Sequence, residues 1–503
     1  MIILDRFLNK LTMYRLVLYY LLFLIVVAEV LGFFKILNID PLMLLVSVLF
    51  LSLVCFATNY FFSKTHETVV NHESWLISAL ILALIITPPD HFHIHSFPFL
   101  FWAGIWTIAS KYIVNINRKH LFNPVAFGVF LPSLFGVGSA SWWIGTLPML
   151  PAILLGGLII RKLRRFDLFF YFFLVSVFTV LSFAILNGND VLASIQKILF
   201  YSALLFFGFV MLTEPLTTPP SKFYQSIYGG LVGFLLSPQI HIGNLFTTPE
   251  TALLLGNIFS YLISPKFRLV LTLKQKISLS PTISEFIFDA PKRFSFLPGQ
   301  YLEWTIQNKI DSRGNRRYFT ISSSPTEKDI KMGIKFNPRS SKFKDSLISM
   351  EIGEKIIAGS LSGDFVLPKD VDKRLVFVAG GIGVTPFRSM IKYLIDENKR
   401  RDIVLIYSVK DPKDFVYLDI LEMAQKNGVK LILSISDSSQ VPANWHGYVG
   451  YINEELIQKE IPDFSKRSFY ISGPSSMIDS FAALLKKLEV SQERIKKDYF
   501  PGF

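Results

Sequence analysis

The pattern of apolar and polar positions changes once along the chain, near Ser264-Pro265. From Met13 to about Ser264, apolar residues run in blocks of roughly 17 to 25, the length of a helix that crosses a bilayer. The pattern predicts about ten such helices, centred near Leu22, Phe50, Leu80, Ile105, Phe130, Leu150, Leu174, Leu205, Val232 and Leu255. From Lys266 onward the apolar runs are short and split by charge. Phe267 to Ala290 alternates in the manner of antiparallel strands, and Pro298-Gly299-Gln300-Tyr301 turns into a further strand, Leu302 to Ile306, so a small β-barrel is expected. Residues 371–503 alternate strands (Leu375 to Ala379, Ile403 to Ser408, Lys430 to Ser434, Ser468 to Ser472) with helices (from Thr385, Leu418 to Lys426, Ser476 to Leu488). Such alternation implies a parallel sheet with crossover helices. The expected fold is multidomain: a polytopic all-α membrane domain over 1–265, an antiparallel β-barrel over 266–370 and an α/β nucleotide-binding domain over 371–503.

Composition and charge refine this picture. A 503-residue chain that is 51% hydrophobic, with 48 phenylalanines, is too apolar to be wholly soluble. The net charge of +13 is explained by topology rather than by nucleic acid. Starting inside, alternate loops carry Arg6, Lys10, Arg15, Lys64, Lys111, Arg118, Lys119, Arg161, Lys162, Arg164, Arg165, Lys222, Lys266 and Arg268, whereas the opposite loops carry Lys35 and Lys197. This asymmetry predicts a multi-pass cell-membrane protein with both termini and the soluble half in the cytoplasm. No cleavable signal is evident, and the first apolar run is long enough to remain as an anchor. The single cysteine, Cys55, excludes an internal disulfide framework, a cysteine-ligated iron–sulfur cluster and a Cys₄ zinc site. Haem held between two histidines needs them on facing helices at membrane depth. The eight histidines do not offer that: His66 and His72 lie in a polar loop, His91, His93 and His95 share a short loop, and His120, His241 and His446 stand apart. The outer trio reads as a solvated loop before it reads as a metal site, and no metal is predicted.

Four stretches carry candidate chemistry. In Arg374 to Met390 a buried strand feeds the turn Gly380-Gly381-Ile382-Gly383, and Thr385-Pro386 opens a helix; glycines let backbone approach an anion, and free helical N–H groups point at it. The same turn also serves tight packing in αβ domains. In Arg316 to Ser323, Arg317 and Phe319 fall on one face of a strand, where an arginine clamps phosphate and an aromatic offers a flat surface to a heteroaromatic ring. The plainer alternative is a charged edge strand with a buried phenylalanine. Lys119 to Gly128 and Met211 to Pro220, the latter followed by Tyr228-Gly229-Gly230, place polar, helix-breaking residues at the membrane boundary, as ligand sites or as loops with capped helix ends.

The Lys119-His120-x-Phe122-Asn123-Pro124 and Thr213-Glu214-Pro215-x-Thr217-x-Pro219 patterns with Tyr228-Gly229 resemble, over roughly residues 100–240, a flavin-carrying membrane protein family. Its members are the D component of Rnf electron-transport complexes and the B component of the sodium-pumping NADH:quinone reductase. That family esterifies a flavin to the threonine of a Ser-Gly-Ala-Thr motif, which this sequence lacks. The resemblance therefore implies a non-covalent flavin or a quinone near Asn123 and Glu214.

In the soluble half, Pro298-Gly299-Gln300-Tyr301, Arg317-x-Phe319-Thr320-x-x-Ser323, Gly359-x-x-x-Gly363-x-Phe365, the glycine turn and Gly473-Pro474-x-x-Met477 stand in the order and spacing of the ferredoxin-NADP reductase superfamily. The similarity covers nearly all of 266–503. It implies FAD held by Gln300, Tyr301, Arg317, Tyr318, Phe319, Thr320, Ser322, Ser323, Lys344 and Gly363: Arg317 on the pyrophosphate, Phe319 on the ring system and Thr320 near flavin N5. The pyrophosphate loop spans Ser340 to Leu347, where Ser340-Ser341 replace the usual glycines and Lys344 the usual serine. It further implies a nicotinamide nucleotide at Gly380, Gly381, Ile382, Gly383, Thr385, Pro386, Gly473, Pro474 and Met477. Ser472 stands where the family has a cysteine, and Asp498 and Phe500 match its acidic-x-aromatic ending, so Thr320, Ser472 and Asp498 are the expected catalytic residues.

The expectation is a membrane flavoprotein passing electrons from NAD(P)H through FAD to an acceptor in or on the bilayer, a flavin, a quinone or a partner protein. A haem-containing ferric reductase or NADPH oxidase would share the soluble half, and a transporter gated by a degenerate reductase domain is a third reading. No acidic ribose ligand or basic 2′-phosphate pair stands out after Tyr407-Ser408, so NADH and NADPH both stay open.

Overall fold

The computed structural model describes residues 8, 11–65, 72–93, 97–116, 119–237, 239–242, 245–264, 269–289, 294–306, 316–336 and 341–498. Arg6, Lys10, His66, His95, Arg118, Pro265, Lys266, Arg268, Ser340 and Phe500, named above, lie outside those residues. The chain divides into two compact units, Met1–Lys266 with 501–503, and Phe267–Phe500.

The first unit is helical, and each of the ten predicted centres falls inside a helix. Among the described residues three helices are long and apolar enough to cross a membrane, Met13–Phe33, Pro41–Thr65 and Phe166–Leu186, or four if the bent pair Val191–Phe200 with Leu204–Met211 is one span. The apolar blocks thus form helices of unequal length. The reason is local: Pro148, Pro151 and the pair Gly156-Gly157 cut one apolar block into Leu147–Met149, Leu150–Leu154 and Gly157–Leu163. The unit is also not purely helical, since Asn115–Ile116 pairs with Lys119–His120 and His241–Ile242 with Leu245–Phe246.

The second unit holds two sheets. In chain order the strands of the first are β1 (Leu269–Ser280), β2 (Ile283–Asp289), β3 (Tyr301–Thr305), β4 (Arg316–Thr320), β5 (Asp329–Lys335) and β6 (Lys355–Ser362). They form an antiparallel sheet in the order β4-β3-β6-β1-β2-β5. The closed barrel expected from sequence is corrected: among the described residues no ladder joins β4 to β5. Past Thr320 the Ser322 N–H donates to Lys331 O at 2.8 Å, and the Ser322 and Ser323 carbonyls accept from Arg388 and Ser389 of the neighbouring lobe. Leu271, Phe288, Leu302, Trp304, Met332 and Phe343 fill the core.

The second sheet is parallel, with β7 (Leu375–Gly380), β8 (Ile403–Val409), β9 (Val429–Ile435), β10 (Tyr448–Val449), β11 (Ser468–Ser472) and β12 (Ile495–Lys497) in the order β10-β9-β8-β7-β11-β12. β7 is buried along its whole length, as a strand covered on both faces must be. The following helix, Thr385–Asp396, takes Pro386 in its first turn and buries Phe387, Met390, Ile391 and Leu394 at helical spacing. Strand order reverses at β7: β8 lies on one side and β11 on the other, which creates a crevice at their carboxyl ends, where ligands of such sheets bind.

Candidate active site

β3 and β4 set the first half of the site. Arg317 pairs with Trp304 and Phe319 with Leu302, so both share the face of two fully buried core residues, while Tyr318 and Thr320 share the other face with Glu303 and Tyr301. The Arg317 guanidinium lies 5.4 Å over the Phe343 ring, and the Phe319 ring is 5.9 Å from the same ring. Phe343 belongs to the helix Lys342–Ser349, which Ser341 caps by accepting from the Lys344 N–H. A guanidinium, an aromatic ring and a helix start therefore converge, the set of groups a diphosphate joined to a planar ring requires. Lys344 turns its ammonium back onto the Lys335 carbonyl, 2.6 Å away.

On the opposite face, Tyr318 donates to Glu303 at 2.7 Å and meets Tyr301 edge-on at 5.5 Å. Thr320 is buried, the Gln300 side chain accepts from Leu297 N–H, and a Cβ on Gly363 would lie 3.1 Å from the Tyr301 ring. Ser322 and Ser323 are fully buried and engaged with protein: Ser322 donates to Glu285 at 3.2 Å, and the Ser323 hydroxyl accepts from Lys331 N–H at 3.0 Å.

The glycine turn sits where the sheet order reverses. Gly381 has φ +54°, and nothing lies within 4 Å of where its side chain would be, so the turn is open on that side. Gly383 has no such room, since a Cβ there would come within 2.4 Å of the Ser472 carbonyl oxygen. Gly380 packs as closely on Met477 and Pro474, which brings Gly473, Pro474 and Met477 beside the turn. Thr385 donates to the Ile382 carbonyl at 3.1 Å. Asp498 follows β12, donates its N–H to Ile471 O and accepts from the Ser472 hydroxyl, both at 2.8 Å. Burial pushes its carboxyl up to about 7, against the lowering effect of the Ser472 hydrogen bond.

A residue that the sequence pattern did not mark joins the two lobes. Arg388, 3% exposed, donates to Ser322 O at 2.9 Å, forms a two-pronged pair with Glu327 and lies 5.6 Å over the Tyr417 ring. Ser389 donates to Ser323 O at 2.6 Å. Nearby, Tyr417 donates to Glu285 at 2.8 Å, and Asp414 accepts from Lys335 at 2.6 Å and Thr282 at 2.7 Å. The sequence signal for Arg388 is a charge set between the core positions Phe387 and Met390.

In the helical unit the two polar stretches meet. Asn123 caps helix Pro124–Leu134, donates its N–H to Asn257 Oδ1 at 2.7 Å and its side-chain amide to Glu214 at 2.8 Å. Thr217 also donates to Glu214, and Asn257 to Tyr228 at 2.9 Å. His91 and His93 lie in a loop, and His120 and His241 in the two short strand pairs.

Residues 377–483 match the family described as "Oxidoreductase NAD-binding domain". Part of the chain is similar to the reductase subunit of glycine betaine monooxygenase from Chromohalobacter salexigens, 28% identical over 212 residues, 40% of this chain and 55% of that protein. It is also similar to the F component of the Na(+)-translocating NADH-quinone reductase of Neisseria meningitidis, 27% identical over 235 residues, 44% of this chain and 58% of that protein. The chain thus spans little more than half the length of these curated relatives. Among solved structures, a ferredoxin NADP+ reductase from Neisseria gonorrhoeae with bound FAD and NADP aligns at 17% identity and TM-score 0.40, covering 46% of this chain and 98% of that one. The C-terminal half thus contains a segment similar to the NAD-binding domain of oxidoreductases.

Proposed function

We propose that the chain is a membrane-bound flavoprotein oxidoreductase that takes electrons from NAD(P)H and passes them through FAD to an acceptor in or on the membrane. The observation that carries this reading is that Arg317, Phe319 and the start of helix Lys342–Ser349 converge in one lobe while the glycine turn packs on Ser472 and Gly473 in the other. The residues fit the cofactor: a guanidinium and a helix start suit its pyrophosphate, and the Phe319 ring suits its ring system. When bound, FAD supplies the conversion of a two-electron donor into one-electron steps.

In this reading Arg317 anchors phosphate, Phe319 packs on the flavin ring and Thr320 offers a hydroxyl near N5. The open side of Gly381 and the close packing of Gly383 on Ser472 admit the nicotinamide nucleotide at the strand ends. Ser472 orients Asp498, which holds a proton below about pH 7. The apolar helices with Phe33, Leu53, Phe178 and Leu186 exposed support placement in a bilayer, and the Asn123–Glu214 cluster supports a non-covalent flavin or quinone there. An electron-transfer partner protein is the other acceptor consistent with the relatives' names.

The test is the full chain purified in detergent. The reading expects a flavin spectrum and FAD released on denaturation; a colourless protein contradicts it, and a Soret band would transfer the reading to a haem reductase.

A further inference from the structure

We propose that Arg388 is a positioning residue that fixes the distance between the nicotinamide-side turn and the flavin-side strand. This inference rests on the function proposed above. Arg388 stands one helical turn beyond Thr385, so it is rigidly tied to the glycine turn. Its guanidinium reaches into the other lobe and grips the backbone just past Thr320, at Ser322 O, while Ser389 grips Ser323 O. Glu327 holds both terminal nitrogens of that guanidinium and is itself fixed by the Ser324 N–H at 2.7 Å and by Lys331 at 2.9 Å. A third contact lies beside the turn: a Cβ on Gly333 of β5 would meet Tyr417 Oη at 2.6 Å, Thr385 Cγ2 at 3.0 Å and Ile382 Cδ1 at 3.4 Å.

Consecutive residues of the nucleotide helix thus hold consecutive carbonyls of the flavin strand's continuation. Those carbonyls lie just past β4, where among the described residues no ladder joins β4 to β5. Transfer between two bound rings depends steeply on their separation, and a shift of about 1 Å can cost on the order of 100-fold in rate. A planar two-pronged guanidinium fixes both distance and angle, which a lysine ammonium does not.

The experiment uses the full chain in detergent, with whichever of NADH or NADPH reduces the wild type faster. Rapid mixing under anaerobic conditions measures the limiting rate of flavin reduction, the dissociation constant of the nucleotide and the long-wavelength charge-transfer absorbance. The variants are Arg388→Lys, Ser389→Ala and the double variant Arg388→Met with Glu327→Met, which removes both charges of the buried pair together. The limiting rate is expected to fall about 10- to 100-fold in Arg388→Lys and the double variant, with weaker charge-transfer absorbance and with FAD content and nucleotide dissociation constant unchanged. Ser389→Ala is expected to give a smaller loss of the same kind. A purely structural role would lower the melting temperature without changing the limiting rate. A folded, FAD-loaded double variant with wild-type limiting rate and absorbance overturns the positioning role, as does loss of FAD in place of loss of rate. A wild type that neither nucleotide reduces overturns the proposed function and this role together, and is thereby distinct from the first two results.

Discussion

Ser472 donates its hydroxyl to the Asp498 carboxylate across 2.8 Å, inside the protein and at the carboxyl ends of neighbouring parallel strands. Its donor stands on the strand end that packs against Gly383. The pair therefore links a titrating group to the wall of the proposed nicotinamide site.

Burial holds the Asp498 carboxyl at about 7 and the Ser472 bond draws it down. Ser472→Ala should raise it further. The pH at which reduction by NAD(P)H changes slope should therefore move upward in Ser472→Ala, and that slope change should vanish in Asp498→Asn. Steady-state rates from pH 5 to 9 check both. An unshifted profile in both variants would remove Asp498 from the reaction.

The same group predicts an unusual stability profile. Its folded pKa lies above its unfolded one, so its contribution is fully present below about pH 4 and declines as pH rises to about 7, by on the order of a few kcal/mol. Asp498→Asn should flatten that decline in thermal melts.

Glu327 works in the opposite sense. Burial pushes its carboxyl up, but Arg388, Lys331 and the Ser324 N–H outweigh that and leave it at about 2. Its stabilisation is present above about pH 4.5 and is lost as pH falls towards 2, at most on the order of 3 kcal/mol before solvent screening reduces it. The Glu327→Gln variant should be less stable at neutral pH and lose less on acidification, as acid titration of its circular dichroism would show.

Arg317→Ala and Gly383→Val should separate the two lobes. Loss of a charge-assisted bond worth about 1.5–3 kcal/mol should weaken FAD at least about tenfold in the first variant. In the second, a side chain within 2.4 Å of the Ser472 carbonyl should leave FAD bound and slow its reduction by NAD(P)H. Extraction of FAD and rapid-mixing traces measure each; equal FAD loss in both would reverse the lobe assignment.

In the helical unit, Glu214→Gln replaces the carboxyl group to which Asn123 and Thr217 donate. Reduction by NAD(P)H should be unchanged, while reoxidation by an added quinone should slow. Unchanged reoxidation would place the acceptor elsewhere.

What could be read from the sequence follows the range of the interactions involved. β7 and β11 were legible because a fully buried parallel strand is a continuous apolar run closed by glycine, as at Leu375–Gly380 and before Gly473. Arg317 and Phe319 were legible as a pair because alternation puts them on one face, but Phe343, which receives both, arrives through the fold. Lys344 could be placed but its direction could not, since its acceptor is a backbone carbonyl on β5. The role of Arg388 was not legible, although its charge stands between core positions, because its partners Ser322 and Glu327 are distant in sequence. Helix centres were legible in the N-terminal unit and helix lengths were not, because Pro148 and Pro151 break a block whose hydropathy continues across them.

The most direct test of the central claim is an anaerobic titration of the detergent-purified full chain with NADH and with NADPH, followed in the visible spectrum. Loss of the oxidised-flavin band at one nucleotide per FAD, with its return on adding a membrane-soluble quinone, is the predicted result. A flavin band that neither nucleotide diminishes, or no flavin at all, would contradict the account.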